Sequence, residues 1–202
     1  MSALSEKELR KYYLQSCLSV SQIASLMGCS QNRVNHWLKQ YGIPKRTISD
    51  AMYRRHNPNG DPFLITEIDT IPKALLAGLG VGLYWGEGNK RNPSAIRLGN
   101  TDPLLIRKFI EFLRDILGVP VSKLRFGLQI FSDMPSGNAK KAWLGHLRGL
   151  GVSPEQFQRP VITPARSIGT YREKTRWGVL TVYCSNIKLK HILDGMLAKH
   201  AV

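Results

Sequence analysis

Between Ala74 and Gly88 the chain reads Ala-Leu-Leu-Ala-Gly-Leu-Gly-Val-Gly-Leu-Tyr-Trp-Gly-Glu-Gly. Its leucines and the Ile71-Pro72 start predict a helix from about Lys73, yet Gly78, Gly80, Gly82 and Gly86 all fall inside it. Each glycine costs about 1 kcal/mol relative to alanine in a helix interior, so such a helix needs a compensating contact. Ala74, Gly78, Gly82 and Gly86 recur every four residues and therefore line one stripe, on which a second helix backbone can lie very close. The stripe ends at Glu87, an acid at the negative end of the helix dipole, where it makes sense if the carboxylate serves a cation. Two such helices packed stripe to stripe bring two copies of Glu87 together, and close carboxylates call for a divalent metal. The plainer alternative is a Glu87 that is solvated or paired with Lys90.

Charge narrows the partner. Across 202 residues there are 29 Lys and Arg against 14 Asp and Glu, a formal net charge of +15. That excess points to a polyanion, nucleic acid first. Both sides of a Pro/Gly-rich stretch at 53–62 (Tyr-Arg-Arg-His-Asn-Pro-Asn-Gly-Asp-Pro) are basic, and that stretch reads as a linker between residues 1–52 and 63–202. The apolar run from Ala74 to Trp85 is too short to span a bilayer. The first residues show no basic-then-apolar leader pattern, so secretion is not expected. Three cysteines without a CxxC pair argue against a disulfide framework or zinc ribbon and suit a reducing cytoplasm, nucleoid-associated in a prokaryote.

Residues 1–52 read as short helices. Ser5 with Glu8 makes a capping-box start, and Leu9, Tyr12 and Tyr13 follow at helical spacing. From Val20 to Lys39, Ala24 and Gly28 permit close approach and a sharp turn. Ile23, Met27, Cys29, Val34 and Trp37 fall where a helix-turn-helix buries its apolar contacts. Ser30 can cap the second helix, and Gly42 with Pro44 can end it. This spacing resembles the helix-turn-helix family. The resemblance implies a recognition helix from Gln31 to Gln40 with Gln31, Asn32, Asn35, His36 and Lys39 turned outward. Gln and Asn suit adenine, Lys39 suits guanine or phosphate, and Lys45 and Arg46 are expected on the DNA backbone. A helical bundle with a solvated polar face is the alternative.

In the second part, Gly82-Leu83-Tyr84-Trp85-Gly86-Glu87-Gly88 resembles the second half of the LAGLIDADG motif of homing endonucleases, with Glu87 at the place of the final acid and Trp85 replacing the earlier one. Strands are predicted over Ala95–Asn100, Lys123–Phe131 and Val179–Cys184. Helices are predicted from Thr101-Asp102-Pro103 to Leu117, around Trp143 to Leu147, and from Ile187. The fold class is thus α+β, a helical helix-turn-helix domain followed by a LAGLIDADG-like αββαββα domain over about residues 70–200. The resemblance implies a homodimer through Gly78, Gly82 and Gly86, since the chain carries one motif. It implies Mg²⁺ at Glu87, the one catalytic residue carried over by position, and cleavage of double-stranded DNA at a palindromic or nearly palindromic site.

On the sheet face, Lys90, Arg91, Arg97, Arg125, Gln129, Thr181 and Tyr183 are the expected DNA contacts. The irregular stretch from Arg159 to Arg176 adds Arg166, Arg172, Lys174 and Arg176 as phosphate contacts. Lys188 and Lys190 are candidate basic groups near the scissile phosphate, and Cys184 reads as a core residue rather than a nucleophile. Two functions follow: a Mg²⁺-dependent site-specific endonuclease, or a catalytically inactive DNA-binding transcriptional regulator on the same fold. Glu87 discriminates between them.

Overall fold

A computed structural model describes residues 3–165 and 176–200. The chain forms two compact units, Met1–Asp61 and Pro62–Val202. Among the described residues no helix is long and apolar enough to cross a membrane.

The first unit holds α1 (Glu6–Arg10), which widens into an i→i+5 turn over Lys11–Gln15, then α2 (Val20–Leu26), α3 (Gln31–Gln40) and α4 (Ile48–His56). Local polar side chains set the starts. The Ser5, Ser30 and Thr47 hydroxyls accept from the amides of Glu8, Arg33 and Asp50, and Ser19 with Gln22 makes a reciprocal capping box. Gly28 separates α2 from α3 at φ +60°, with open space where a Cβ would stand, so its role is the left-handed turn and not close packing. The core gathers Leu9, Tyr13, Ile23, Ala24, Val34, Leu38 and Ile43. Ile23 and Val34 are buried as expected, while Met27, Cys29 and Trp37 lie partly buried at its edge. Leu38, one turn beyond Val34, takes the inward place expected of Trp37; Trp37 stacks on Tyr41 instead. The expected linker over 53–62 is corrected at its start. Thr47 caps α4, and the helix continues through Tyr53–His56 until Asn57 ends it.

The second unit comprises α5 (Ile71–Glu87), β1 (Ala95–Asn100), α6 (Pro103–Glu111), β2 (Arg125–Phe131), α7 (Ser136–His146), β3 (Val161–Thr163), β4 (Val179–Ser185) and α8 (Ile187–His200). It is an α+β arrangement around one four-stranded mixed sheet of order β1-β4-β2-β3. β4 pairs antiparallel with β1 and β2, and β3 pairs parallel with β2. The described elements run αβαβαββα in place of the expected αββαββα. The first strand shrinks to a bridge between Gly88 and Leu98, and α7 and β3 stand between β2 and β4.

Alternation sorts the sheet as the sequence predicts. Ile96, Leu98, Phe126, Leu128, Ile130, Leu180, Val182 and Cys184 face the core, with Leu124 just ahead of β2. Burial among these apolar side chains pushes the Cys184 thiol up to about 12, so it stays protonated and inert, in line with a core role. α6 starts on Asp102, whose carboxylate accepts from the Leu104 amide at 2.8 Å, and it too widens into an i→i+5 turn over Phe112–Ile116.

The glycines of α5 divide into two groups. Gly80 faces inward, where a Cβ would come within 2.0 Å of the Phe112 ring. Gly78, Gly82 and Gly86 face outward, with nothing within 4 Å of where a Cβ would be. Gly80→Ala is therefore expected to lower stability by about 1–3 kcal/mol through overpacking, despite the better helix propensity of alanine. Gly78→Ala should leave the protomer as stable or slightly more so. Thermal unfolding of the two variants, each compared with wild type, checks the assignment.

Candidate nucleic-acid interface

Two surfaces hold the residues singled out in the sequence, one in each unit. In the first unit α3 is capped at Ser30 and anchored through Val34 and Leu38. Its outer side presents Gln31, Asn32, His36 and Lys39, all exposed, with Asn35 half-buried. The His36 ring stands edge-on to Trp37 at 5.3 Å between centroids, which limits the ring's freedom. These side chains carry the hydrogen-bonding groups that read base edges in a major groove.

Lys45 is exposed beyond α3, but Arg46 is not the free phosphate contact expected of it. Its Nη1 donates to the carbonyl of Cys17 at 3.0 Å, and Nη2 donates to those of Leu18 (2.8 Å) and Tyr13. The guanidinium also lies 4.1 Å from the Tyr13 ring centroid. Arg46 thus satisfies the carbonyls that end the first helix and ties the segment after α3 to them.

The second surface is the side of the sheet opposite the core. The register sets Arg97, Tyr183 and Arg125 in one cross-strand row, and Gly99, Thr181 and Gly127 in the next. Gln129 follows on β2, its amide donating to the Thr163 hydroxyl at 3.1 Å. Arg97 lies with its guanidinium 5.3 Å from the Tyr183 ring centroid. Arg125 is exposed but turns back, its Nη1 donating to the carbonyls of Ser122 and Leu124 at 2.7 and 2.8 Å. Arg91 is exposed beside this surface, and Arg176 is exposed with its guanidinium 4.9 Å from the Trp177 ring centroid. Arg166, Arg172 and Lys174 lie outside the described residues.

At the end of α5, Glu87 is exposed and makes no ion pair among the described residues. The alternative partner, Lys90, donates to the Trp85 carbonyl at the helix end instead. One turn back, the buried Tyr84 donates its hydroxyl to the Asn89 carbonyl at 2.8 Å, and burial first, with the Asp194 charge second, pushes its pKa up to about 12. Among the described residues no group of three metal-ligating side chains assembles within the chain. Mg²⁺ takes oxygen ligands, keeps several waters, and is usually held by only one or two carboxylates. A lone exposed carboxylate at Glu87 fits that chemistry as one ligand.

Lys190 is removed from the candidates for a basic group at the phosphate. It is 1% exposed, paired with Asp194, with its ammonium 5.8 Å from the Tyr84 ring centroid. Lys188 is exposed.

The sequence reading missed the apolar flank of the stripe. Leu75, Leu79 and Trp85 are 68%, 46% and 50% exposed and border Gly78, Gly82 and Gly86. Their spacing could have revealed it, since Leu75 and Leu79 stand one residue after Ala74 and Gly78 along the same face.

Fold and surfaces together define an α+β chain with a helical N-terminal unit, an open polar sheet face and an uncovered small-residue helix face. No family model, curated protein or solved structure matches the chain.

Two substitutions separate the roles of neighbouring cations. Lys39→Ala should weaken duplex binding and reduce the slope of log affinity against log salt by roughly 0.9 if Lys39 neutralises one phosphate. Arg46→Ala should instead destabilise the first unit by about 1–3 kcal/mol, because three main-chain carbonyls lose a charged donor. Salt-dependent fluorescence anisotropy and chemical denaturation report the two effects.

Proposed function

We propose that the chain is a site-specific double-stranded-DNA-binding protein that acts as a homodimer and cleaves phosphodiester bonds with Mg²⁺ at Glu87. α5 carries this reading. Its outer side is a continuous face of Ala74, Gly78, Gly82 and Gly86, bordered by exposed leucines, that runs to an exposed carboxylate with no ion pair among the described residues. A C2 partner laid on that face would bury it isologously and bring the two Glu87 carboxylates to one place. The resemblance of residues 82–88 to the LAGLIDADG motif supports the same arrangement.

The division of labour follows from the residues. α3 offers Gln31, Asn32, Asn35, His36 and Lys39 to base edges and backbone of a duplex. The sheet face offers Arg97, Gln129, Thr181 and Tyr183 to a second stretch of it, with Lys90 and Arg91 beside it. Glu87, one per protomer, would hold Mg²⁺ together with its counterpart, and a C2 pair calls for a palindromic or nearly palindromic site. When bound, the ion would supply charge stabilisation at the phosphoryl oxygens and a more acidic water. Gly82 and Gly86 let the two carboxylates approach, because neither interposes a side chain.

The second reading, a DNA-binding transcriptional regulator that does not cut, is favoured by Trp85, which puts a half-exposed indole where the motif has its earlier acid. The two readings part at Glu87. A duplex enriched from a random library in Ca²⁺ is expected to be cut near its centre by wild type in Mg²⁺ and left whole by Glu87→Ala with binding retained. A duplex bound tightly by wild type and left intact in Mg²⁺ supports the regulator.

Gly82→Leu tests the dimer separately. It should give monomers in sedimentation velocity with the protomer still folded, and a dimer that survives it removes α5 as the interface.

A further inference from the structure

We propose that Arg97 is the residue of the sheet face that determines base specificity, donating from its Nη1–Nη2 edge to a guanine, with Tyr183 as its positioning residue. This inference rests on the duplex-DNA reading above and goes further, to a single base contact.

The arginines near the two surfaces are in different states. Arg46 has both terminal nitrogens on main-chain carbonyls, and Arg125 has Nη1 on two. Arg97 is half-buried, yet its guanidinium donates no hydrogen bond to any described residue, and its Nε is enclosed without a partner. The enclosed Nε is a donor without an acceptor, whereas Nη1 and Nη2 are not enclosed in this way and stay open to an acceptor arriving from outside.

The surroundings hold that guanidinium in place. β1 and β4 pair Arg97 with Tyr183, and the guanidinium packs on the Tyr183 ring. The ring in turn leans across β4 onto β2, where Gly127 makes room: a Cβ there would meet Tyr183 Cε2 at 2.8 Å and its hydroxyl at 2.9 Å. Gly99, the next outward residue on β1, likewise has no side chain, and a Cβ there would meet the Thr181 hydroxyl at 2.8 Å. The row beside Arg97 therefore carries no side chain of its own but Thr181, with the Tyr183 ring over Gly127 and the Thr181 hydroxyl against Gly99.

With Nε enclosed, the free edge is the pair Nη1 and Nη2, a planar two-donor fork. Guanine presents the matching pair of acceptors, O6 and N7, in the major groove. A phosphate would also match the fork, but a phosphate contact needs no rigid stack and carries no sequence information. Arg97 lies on the edge strand β1 with its guanidinium held over the Tyr183 ring, and that fixed placement favours the base.

The test uses the full chain and duplexes selected from a random library in Ca²⁺. Wild type should enrich a site with a required guanine, and Arg97→Lys should lose that preference by roughly 10- to 100-fold at that position alone. Tyr183→Leu should weaken the same position, and Tyr183→Phe should restore it, since the ring and not the hydroxyl makes the stack. An arm with wild type alone does not depend on how the variants fold: 7-deazaguanine at that position removes the N7 acceptor and should weaken binding, whereas at other guanines it should not. A preference unchanged in Arg97→Lys overturns the proposal. So does a loss of affinity spread evenly over all sequences with a shallower salt slope, which would make Arg97 a phosphate contact while leaving the DNA reading intact. A wild type that enriches no duplex defeats the DNA reading itself, and the proposal with it.

Discussion

Which side of α5 faces the core is decided at Gly80. No side chain larger than hydrogen fits between α5 and the Phe112 ring, so the helix seats there with Ala77, Val81 and Tyr84 inward. Everything on the opposite side is consequently turned out, including Gly78, Gly82, Gly86 and, at the tip, Glu87. The widened turn at Phe112–Ile116 is the counterpart of this seat, since it supplies Phe112 to the contact. Sheet, core and candidate catalytic end are arranged around one glycine whose spacing sets it apart from the stripe.

Much of this arrangement can be read in the sequence. Alternation of Ile96 and Leu98 with Arg97 and Gly99, and of every second residue over Arg125–Phe131, marks both strands and their outward residues, because a half-buried strand has to alternate. Asp102-Pro103 marks the start of α6, since a capping carboxylate and a proline at the first turn both suit a helix N-terminus. The fate of the charged side chains was not legible. Arg46 finds its acceptors 28 to 33 residues earlier in the chain, and Lys190 is buried by its packing against Tyr84 of α5. No local pattern encodes a partner at that distance. β3 escaped for a related reason: its three residues pair along the edge of β2 with Val161 and Ile162 exposed, so they carry no burial pattern.

Net charge thus describes this surface poorly. Arg107 donates to the carbonyls of His146 and Arg148, Arg46 to three others, and Lys190 is committed to Asp194. These cations act as internal connectors, fastening helix ends and irregular segments. Those left for an external anion are fewer, with Lys39, Lys45 and Arg91 exposed near the two surfaces. An excess of 15 positive charges therefore overstates the number of phosphates the protein can neutralise at once.

The Lys190–Asp194 ion pair, formed four residues apart within α8, is lopsided. Lys190 is enclosed, whereas the Asp194 side chain is 42% exposed. Taking away the cation would leave a carboxylate that water can solvate, while taking away the carboxylate would strand a charge in the interior. The member on which the packing depends is therefore Asp194, a residue that from outside looks like any other surface acid.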